Sequence, residues 1–228
     1  MSFLQRFEPL AGTENLKKIQ NAKIAIFGLG GVGSYTAEAL ARSGAENLIL
    51  IDGDIIEESN INRQLYALHS TLGNPKTEIA KKRILDINPN CKIFTFSNFI
   101  LPDNFEKTLG KDFFKDVNFI VDAVDTITLK IFLAKICNEK NIPIISAMGC
   151  GNRLNADFEF ADIYKTSACP LCKVMRTKLK AVNVKRLKVL YSKSPCAVKR
   201  NPPASASWVP SVAGLLIAGE VIKSVMEI

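Results

Sequence analysis

Residues 163–219 contain no acidic residue, although eleven lysines and arginines fall there. Nothing in that stretch can neutralise its charge locally, which excludes an evenly balanced surface. The chain is also poor in histidine and tryptophan, with one of each, and its six cysteines form no regular framework. A disulfide scaffold is therefore excluded and reduced thiols are expected. A chain of 228 residues buries roughly 70% of the surface its unfolded form exposes, so its core needs neither disulfides nor metal. No uninterrupted apolar run spans a bilayer; the longest, residues 209–225, is broken by Pro210, Glu220 and Lys223. Residues 1–8 lack the charged-then-apolar pattern of a secretory signal, so a cytoplasmic, membrane-free protein is expected. Hydrophobic residues make up 47% and charged residues 23%, which excludes intrinsic disorder.

The charge divides the chain in two. Residues 1–160 carry 18 Lys/Arg against 19 Asp/Glu, and residues 161–228 carry 12 against 3. One reading is a solvated basic face. The other is a polyanion partner, and nucleic acid fits better than an anionic membrane, because no basic amphipathic anchor or lipidation signal is present.

The first 150 residues alternate in the rhythm of a parallel α/β domain. Strands are expected at 23–28, 47–52, 91–96, 117–122 and 142–147, with helices at 34–42, 73–87 and 126–138. That order predicts a doubly wound, mostly parallel, Rossmann-like sheet covered on both faces. After Gly149-Cys-Gly151 the rhythm changes: a strand at 157–166, a helix at 168–182, a strand at 187–191, a proline-rich loop at 195–203 and an apolar helix at 209–226. Residues 1–150 are thus expected to bind nucleotide. Residues 151–228 read as a small basic α+β lobe packed on them within the same structural unit, the last helix serving as core or dimer interface.

Gly28-Leu-Gly-Gly-Val-Gly33 fits G-x-G-x-x-G between a strand and a helix, where Gly28, Gly30, Gly31 and Gly33 let backbone approach phosphates at a helix N-terminus. Asp52 follows 19 residues after Gly33 at the end of the second strand, placed to bind ribose hydroxyls. These features alone leave NAD and ATP open. Ser59-Asn-Ile-Asn-Arg-Gln64 comes just past Asp52 and Asp54, and Asn60, Arg63 and Gln64 there suit a triphosphate. Lys76 begins the next helix within reach of the same phosphates. Asp122-Ala-Val-Asp125, followed by Thr126, ends the fourth strand on the same sheet edge, where Asp125 offers hard oxygen to Mg2+. Together they favour ATP with magnesium, and they give a dehydrogenase no use for Arg63 or Asp125.

These motifs, with Asn74-Pro-Lys76 and Ile87-Asn-Pro89, resemble the ThiF/HesA superfamily of ubiquitin-activating-type adenylating enzymes over most of residues 15–150. Ala161-Asp-Ile-Tyr-Lys-Thr166, Cys169-Pro-Leu-Cys-Lys-Val-Met-Arg176, Val189-Leu-Tyr-Ser-Lys193 and Val209-Pro-Ser-Val-Ala-Gly214 resemble its tRNA threonylcarbamoyladenosine dehydratase branch. The resemblance implies a carboxylate activated on the α-phosphate of ATP, with Gly31, Asp52, Ser59, Asn60, Arg63, Lys76 and Asp125 around the nucleotide. Arg63 and Lys76 would stabilise phosphate charge and Asp125 would hold the bridging metal. It further implies a homodimer and tRNA contacts from the basic lobe, for which Lys173, Arg176, Lys178, Lys180, Lys185, Arg186 and Lys188 are the candidates; a sulfur-relay protein is a further candidate partner. Other readings stay open: an adenylyltransferase for the C-terminal carboxylate of a small ubiquitin-like sulfur carrier, and a non-catalytic nucleotide-gated tRNA binder.

Two departures from the family pattern stand out. The arginine that reaches a partner's ATP in related enzymes has one counterpart here, Arg6, the only arginine before Arg42. Carrier-activating relatives bind structural zinc through two Cys-x-x-Cys pairs; this chain has one, Cys169 and Cys172, with Cys196 alone downstream, so structural zinc is not expected. Cys169 and Cys172 read as a helix start or as redox-sensitive thiols beside Lys173 and Arg176. Cys91 and Cys137 read as core, Cys150 as bordering the active site, and His69 as helix surface. Tyr191 and Trp208 flank the basic loop, either stacking on unpaired bases or packing beneath it.

Overall fold

The protein is described by a computed structural model covering residues 2–228. Its first two helices, α1 (Glu8–Ala11) and α2 (Thr13–Asn21), precede the sheet. Then β1 (Lys23–Phe27), α3 (Gly33–Arg42), β2 (Asn47–Ile51), α4 (Lys76–Ile87), β3 (Lys92–Phe96), α5 (Phe105–Leu109), β4 (Phe119–Asp122), α6 (Ile127–Lys140) and β5 (Ile144–Ala147) alternate. The chain finishes with β6 (Phe158–Asp162), α7 (Pro170–Ala181), β7 (Lys188–Ser192) and α8 (Trp208–Met226).

All seven strands lie in one sheet ordered β3-β2-β1-β4-β5-β7-β6. Strands β3 to β5 and β7 run parallel, and only β6 is antiparallel, on β7. The doubly wound expectation holds. Central strands covered on both faces read as unbroken apolar runs, and Ile24 to Phe27 and Leu48 to Ile51 are all buried. Residues 151–228 extend this sheet by two strands. The expected strand at 157–166 stops at Asp162, whose side chain accepts the Tyr164 amide at 2.9 Å and turns the chain into a short 3-10 helix, Ile163–Lys165.

One core, built on Ile24, Leu40, Leu48, Leu50, Ile217 and Val221, fills the face under α3 and α8. A second gathers Phe27, Phe105, Ile120 and Leu133 under α5 and α6. Helix α8 has the length and apolar composition of a membrane-crossing helix, yet Val209, Ala213, Ile217, Val221 and Ile222 are buried, against α2 and α3.

Candidate active site

The strand order reverses at β1, whose neighbours are β2 on one side and β4 on the other. Connections leaving β1 and β4 therefore run to opposite faces and open a crevice at the carboxyl edge, the usual ligand position in such sheets. A cavity of about 730 Å3 lies there, within the range of small-molecule sites. A smaller one of about 540 Å3 at the opposite sheet edge is lined by other residues, Phe119, Ile144 and Arg186 among them.

The glycine-rich turn forms the cavity floor. Gly28 has φ +87° and a Cβ there would sit 2.7 Å from the Ala123 carbonyl, so no side chain fits between β1 and β4. A Cβ on Gly33 would meet the Gly28 carbonyl at 1.8 Å. Gly33 thus packs the start of α3 onto the turn and lies outside the cavity lining, a structural place where a ligand contact was expected. Gly28, Gly30 and Gly31 do line the cavity.

Asp52 follows β2, with its Oδ2 accepting the Leu29 amide at 2.6 Å and its Oδ1 the Asp54 amide at 2.8 Å. Burial raises its pKa above the ordinary aspartate value, while Lys76 and the two amides pull the other way. Lys76 is 4% exposed and donates to Asp54 Oδ2 at 2.6 Å. The Arg63 guanidinium is held by the Ser59 carbonyl at 2.7 Å and Asn62 Oδ1 at 3.1 Å. Asn60, Arg63, Gln64, Asp52, Asp54 and Lys76 all face the cavity. Ser59 does not; its hydroxyl donates to Glu57 at 3.4 Å.

The two carboxylates after β4 separate. Asp125, exposed, lines the cavity together with Thr126, an oxygen donor of the type magnesium prefers. Asp122, expected to bind nucleotide, is fully buried. Its Oδ2 accepts Lys130 Nζ at 3.0 Å and the Ser146 hydroxyl, so it ties α6 to the ends of β4 and β5. Lys130 also donates to the Ala147 carbonyl at 2.9 Å. It was not anticipated, although a lysine inside the run Leu129-Lys-Ile-Phe-Leu133 marks a buried cation that needs an acid. The rest of the wall comes from distant chain: Cys150 and Gly151 after β5, and Pro203, Ser205 and Pro210 before and within α8. Burial pushes the Cys150 thiol up to about 12.

Of the expected nucleic-acid contacts, Lys173, Lys178, Lys180, Lys185 and Arg186 are exposed. Arg176 is half-buried, and Lys188, also exposed, is held by a partner. Arg176 donates to the Thr166 carbonyl at 3.0 Å. Lys188 pairs with Glu220 and lies 5.9 Å from the Phe160 ring centroid. Tyr191 is buried, with its hydroxyl on Glu159, so stacking on bases does not apply to it. Trp208 is half-exposed and donates Nε1 to the Leu154 carbonyl at 2.8 Å. His69 is exposed at the start of a 3-10 turn. Among the described residues no group of three or more His, Cys, Asp or Glu is arranged to hold a metal.

A glycine turn, the carboxylate Asp52 and the cations Arg63 and Lys76 around one cavity at a switch point are the features of a nucleotide-binding protein of the doubly wound α/β class. The ThiF family model matches residues 4–228, and the chain belongs to that family. It is 39% identical over 242 aligned residues to the tRNA threonylcarbamoyladenosine dehydratase of Bacillus subtilis, covering 97% of this chain and 94% of that protein. It is 34% identical to the enzyme of that name from Escherichia coli, over 75% of this chain and 63% of that one. The crystal structure of E. coli TcdA in complex with ATP superposes with a TM-score of 0.89 at 28% identity, covering 98% of this chain and 95% of that one.

Proposed function

We propose that the protein is an ATP-dependent tRNA-modifying enzyme that adenylates the threonyl carboxylate of threonylcarbamoyladenosine and closes it to a ring with loss of water. One observation carries this: Arg63, the Lys76–Asp54 pair and Asp125 converge on a single cavity. Basic α7 starts at that cavity's wall, since Gly149, beside the lining residue Cys150, lies against Leu171 of its first turn. The relatives named as tRNA dehydratases, and the E. coli structure bound to ATP, support the same reading.

The chain's residues divide the work. Asp52 holds ribose hydroxyls with the lone pairs left free by Leu29 and Asp54. Arg63 and Lys76 bind the phosphates and stabilise charge developing as the substrate carboxylate attacks the α-phosphorus and pyrophosphate departs. Asp125 would hold Mg2+, which when bound neutralises phosphate charge. No enzyme nucleophile is needed, because the carbamoyl nitrogen or oxygen of the substrate attacks the acyl adenylate and AMP leaves. Lys173, Lys178, Lys180, Lys185 and Arg186 hold the tRNA backbone. The working form is a homodimer in the cytoplasm, for which the exposed Leu215 and Leu216 on α8 supply an apolar face, with exposed Arg6 available to the partner's site.

The test is purified protein with Mg-ATP and tRNA bearing threonylcarbamoyladenosine, following AMP release and nucleoside mass together. AMP with a nucleoside lighter by one water is the expected result. ATP binding without turnover would overturn it and point to a carrier-protein carboxylate.

A further inference from the structure

Cys169 and Cys172 lie outside the lining of the nucleotide cavity, behind the Cys150–Gly151 stretch of its wall. They hold the N-cap and third positions of α7, and both are free and buried. The spacing of Cys169-Pro-Leu-Cys172 brings two thiols together on one helix end, the arrangement of redox-active vicinal cysteines. Gly149 sits on the same turn, since a Cβ there would lie 3.9 Å from Leu171 Cβ. Arg153, 4% exposed, donates to the Gly149 carbonyl at 3.2 Å and fixes a cation beside the cluster. Hydrogen bonding from the Cys172 thiol, with help from the Cys172 and Gly149 amides and Arg153, lowers the Cys169 thiol to about 5. Burial instead pushes Cys91 and Cys137 up to about 12. Cys172 is raised by its sulfur neighbour, so Cys169 is the sulfur of the pair favoured as thiolate.

We propose that Cys169 and Cys172 form an oxidisable dithiol, a modification site that a peroxide closes to a disulfide, thereby reshaping, through Gly149, the Cys150–Gly151 wall of the nucleotide cavity. The Cys169 thiolate attacks one peroxide oxygen; the O–O bond breaks, leaving a sulfenic acid and hydroxide. The Cys172 thiol attacks that sulfur, the S–S bond forms and water leaves. The peroxide takes both electrons; the Cys172 proton leaves in that water, and the hydroxide takes up the proton that Cys169 had given to solvent. A small oxidant is required because Cys169 is only 3% exposed. The disulfide removes the thiolate that accepts the Gly149 amide, and Cys150 and Gly151, next in the chain, line the cavity. Only the consequence for adenylation rests on the proposed function; the sulfur chemistry does not.

The experiment treats the full-length protein with hydrogen peroxide, blocks remaining thiols with N-ethylmaleimide after unfolding, and maps peptides by mass. The expected product lacks two hydrogens in the peptide spanning residues 166–173, forms at least about tenfold faster than any change at Cys91 or Cys137, and reverts with dithiothreitol. Cys172→Ser should stop at a Cys169 sulfenic acid that a 1,3-diketone traps, with ATP affinity unchanged before oxidation. Oxidised wild-type protein should bind ATP about tenfold more weakly by calorimetry. Oxidation of the pair no faster than Cys91 and Cys137 would overturn the site, and a disulfide that leaves ATP affinity unchanged would overturn its coupling to the cavity. Normal disulfide formation in a protein that releases no AMP would instead remove only the tRNA reading.

Discussion

Lys76 and Lys130 are both buried lysines, and their partners decide what each does. Lys130 meets Asp122, Ser146 and the Ala147 carbonyl, with side-chain exposure of 1% on both Lys130 and Asp122. A buried charge so fully matched is structural, and removing one partner of such a pair costs about 3–5 kcal/mol. Lys76 has one partner, Asp54, whose side chain is 48% exposed, so it retains donors for an anionic ligand. Lys76→Met keeps the aliphatic stem and loses the donors. It should lower AMP formation about 10²–10³-fold with an unchanged far-ultraviolet dichroism spectrum; an activity loss of less than tenfold would remove Lys76 from the phosphate site. This distinction was not readable in the sequence. Asp122 and Asp125 look alike as the two acids of one motif, and which faces the cavity depends on a lysine eight residues on, one turn into α6.

Glu38 allows a cleaner test on stability, away from the site. Buried on α3, it accepts Arg83 Nε at 2.6 Å from α4 and Arg42 Nε at 2.8 Å. Burial alone would raise its pKa, but the Arg83 and Arg42 hydrogen bonds outweigh burial and hold it below the usual 4.5. A carboxylate lowered in the folded state stabilises it above the unfolded value, and that contribution disappears as pH falls through the lowered one. Glu38→Gln should therefore cost about 1–3 kcal/mol at pH 7, and the gap to wild type should narrow below the ordinary glutamate value and close once pH is below the lowered one. Denaturant melts at pH 7 and below pH 4 check this; a gap independent of pH would assign the loss to packing.

At the level of elements, the nucleotide turn depends on a helix from the far end of the chain. A Cβ on Gly214 of α8 would meet the Val32 carbonyl at 2.3 Å and Tyr35 Cβ at 2.9 Å, and its own carbonyl accepts the Thr36 hydroxyl at 3.0 Å. Helix α8 thus clamps the first turn of α3, the turn that follows the cavity-lining glycines Gly28, Gly30 and Gly31. Gly214→Val should destabilise by about 1–3 kcal/mol through overpacking and weaken ATP binding more than Glu38→Gln does. Thermal melts alongside ATP titration check the pairing, and equal ATP affinity in the two variants would separate α8 from the turn. The parallel core of the sheet was legible because strands buried on both faces read as apolar runs. The place of β7 and β6 was not: their side chains look the same whether they pack as a lobe or extend a sheet, and only the β5–β7 register, Ile145 on Lys188, distinguishes the two. Helices α1, α2 and α5 carry no sequence expectation because they lie where no motif or strand rhythm marks them.

Over the whole molecule, the charge imbalance seen in the sequence is also a division of labour in space. Seven basic residues suited a polyanion by sequence. The fold engages half-buried Arg176 with Thr166 and exposed Lys188 with Glu220, whereas Lys173, Lys178, Lys180, Lys185 and Arg186, on and beyond α7, are exposed and outside the ion pairs of the described residues. If those five each neutralise one phosphate, the log–log dependence of tRNA affinity on salt has a slope of about −3.5 to −4.5. Replacing Lys178, Lys180, Lys185 and Arg186 together by glutamine should reduce that slope to about −1 and leave ATP affinity alone, because none of the four lines the nucleotide cavity. Replacing Arg176 and Lys188 should do the opposite, lowering the melting temperature while the slope stays near the wild-type value. Fluorescence anisotropy of labelled tRNA across a salt series reads both. A slope that follows Arg176 and Lys188 would mean that the tRNA displaces their Thr166 and Glu220 partners to bind, and a slope that follows neither set would place the polyanion on another face.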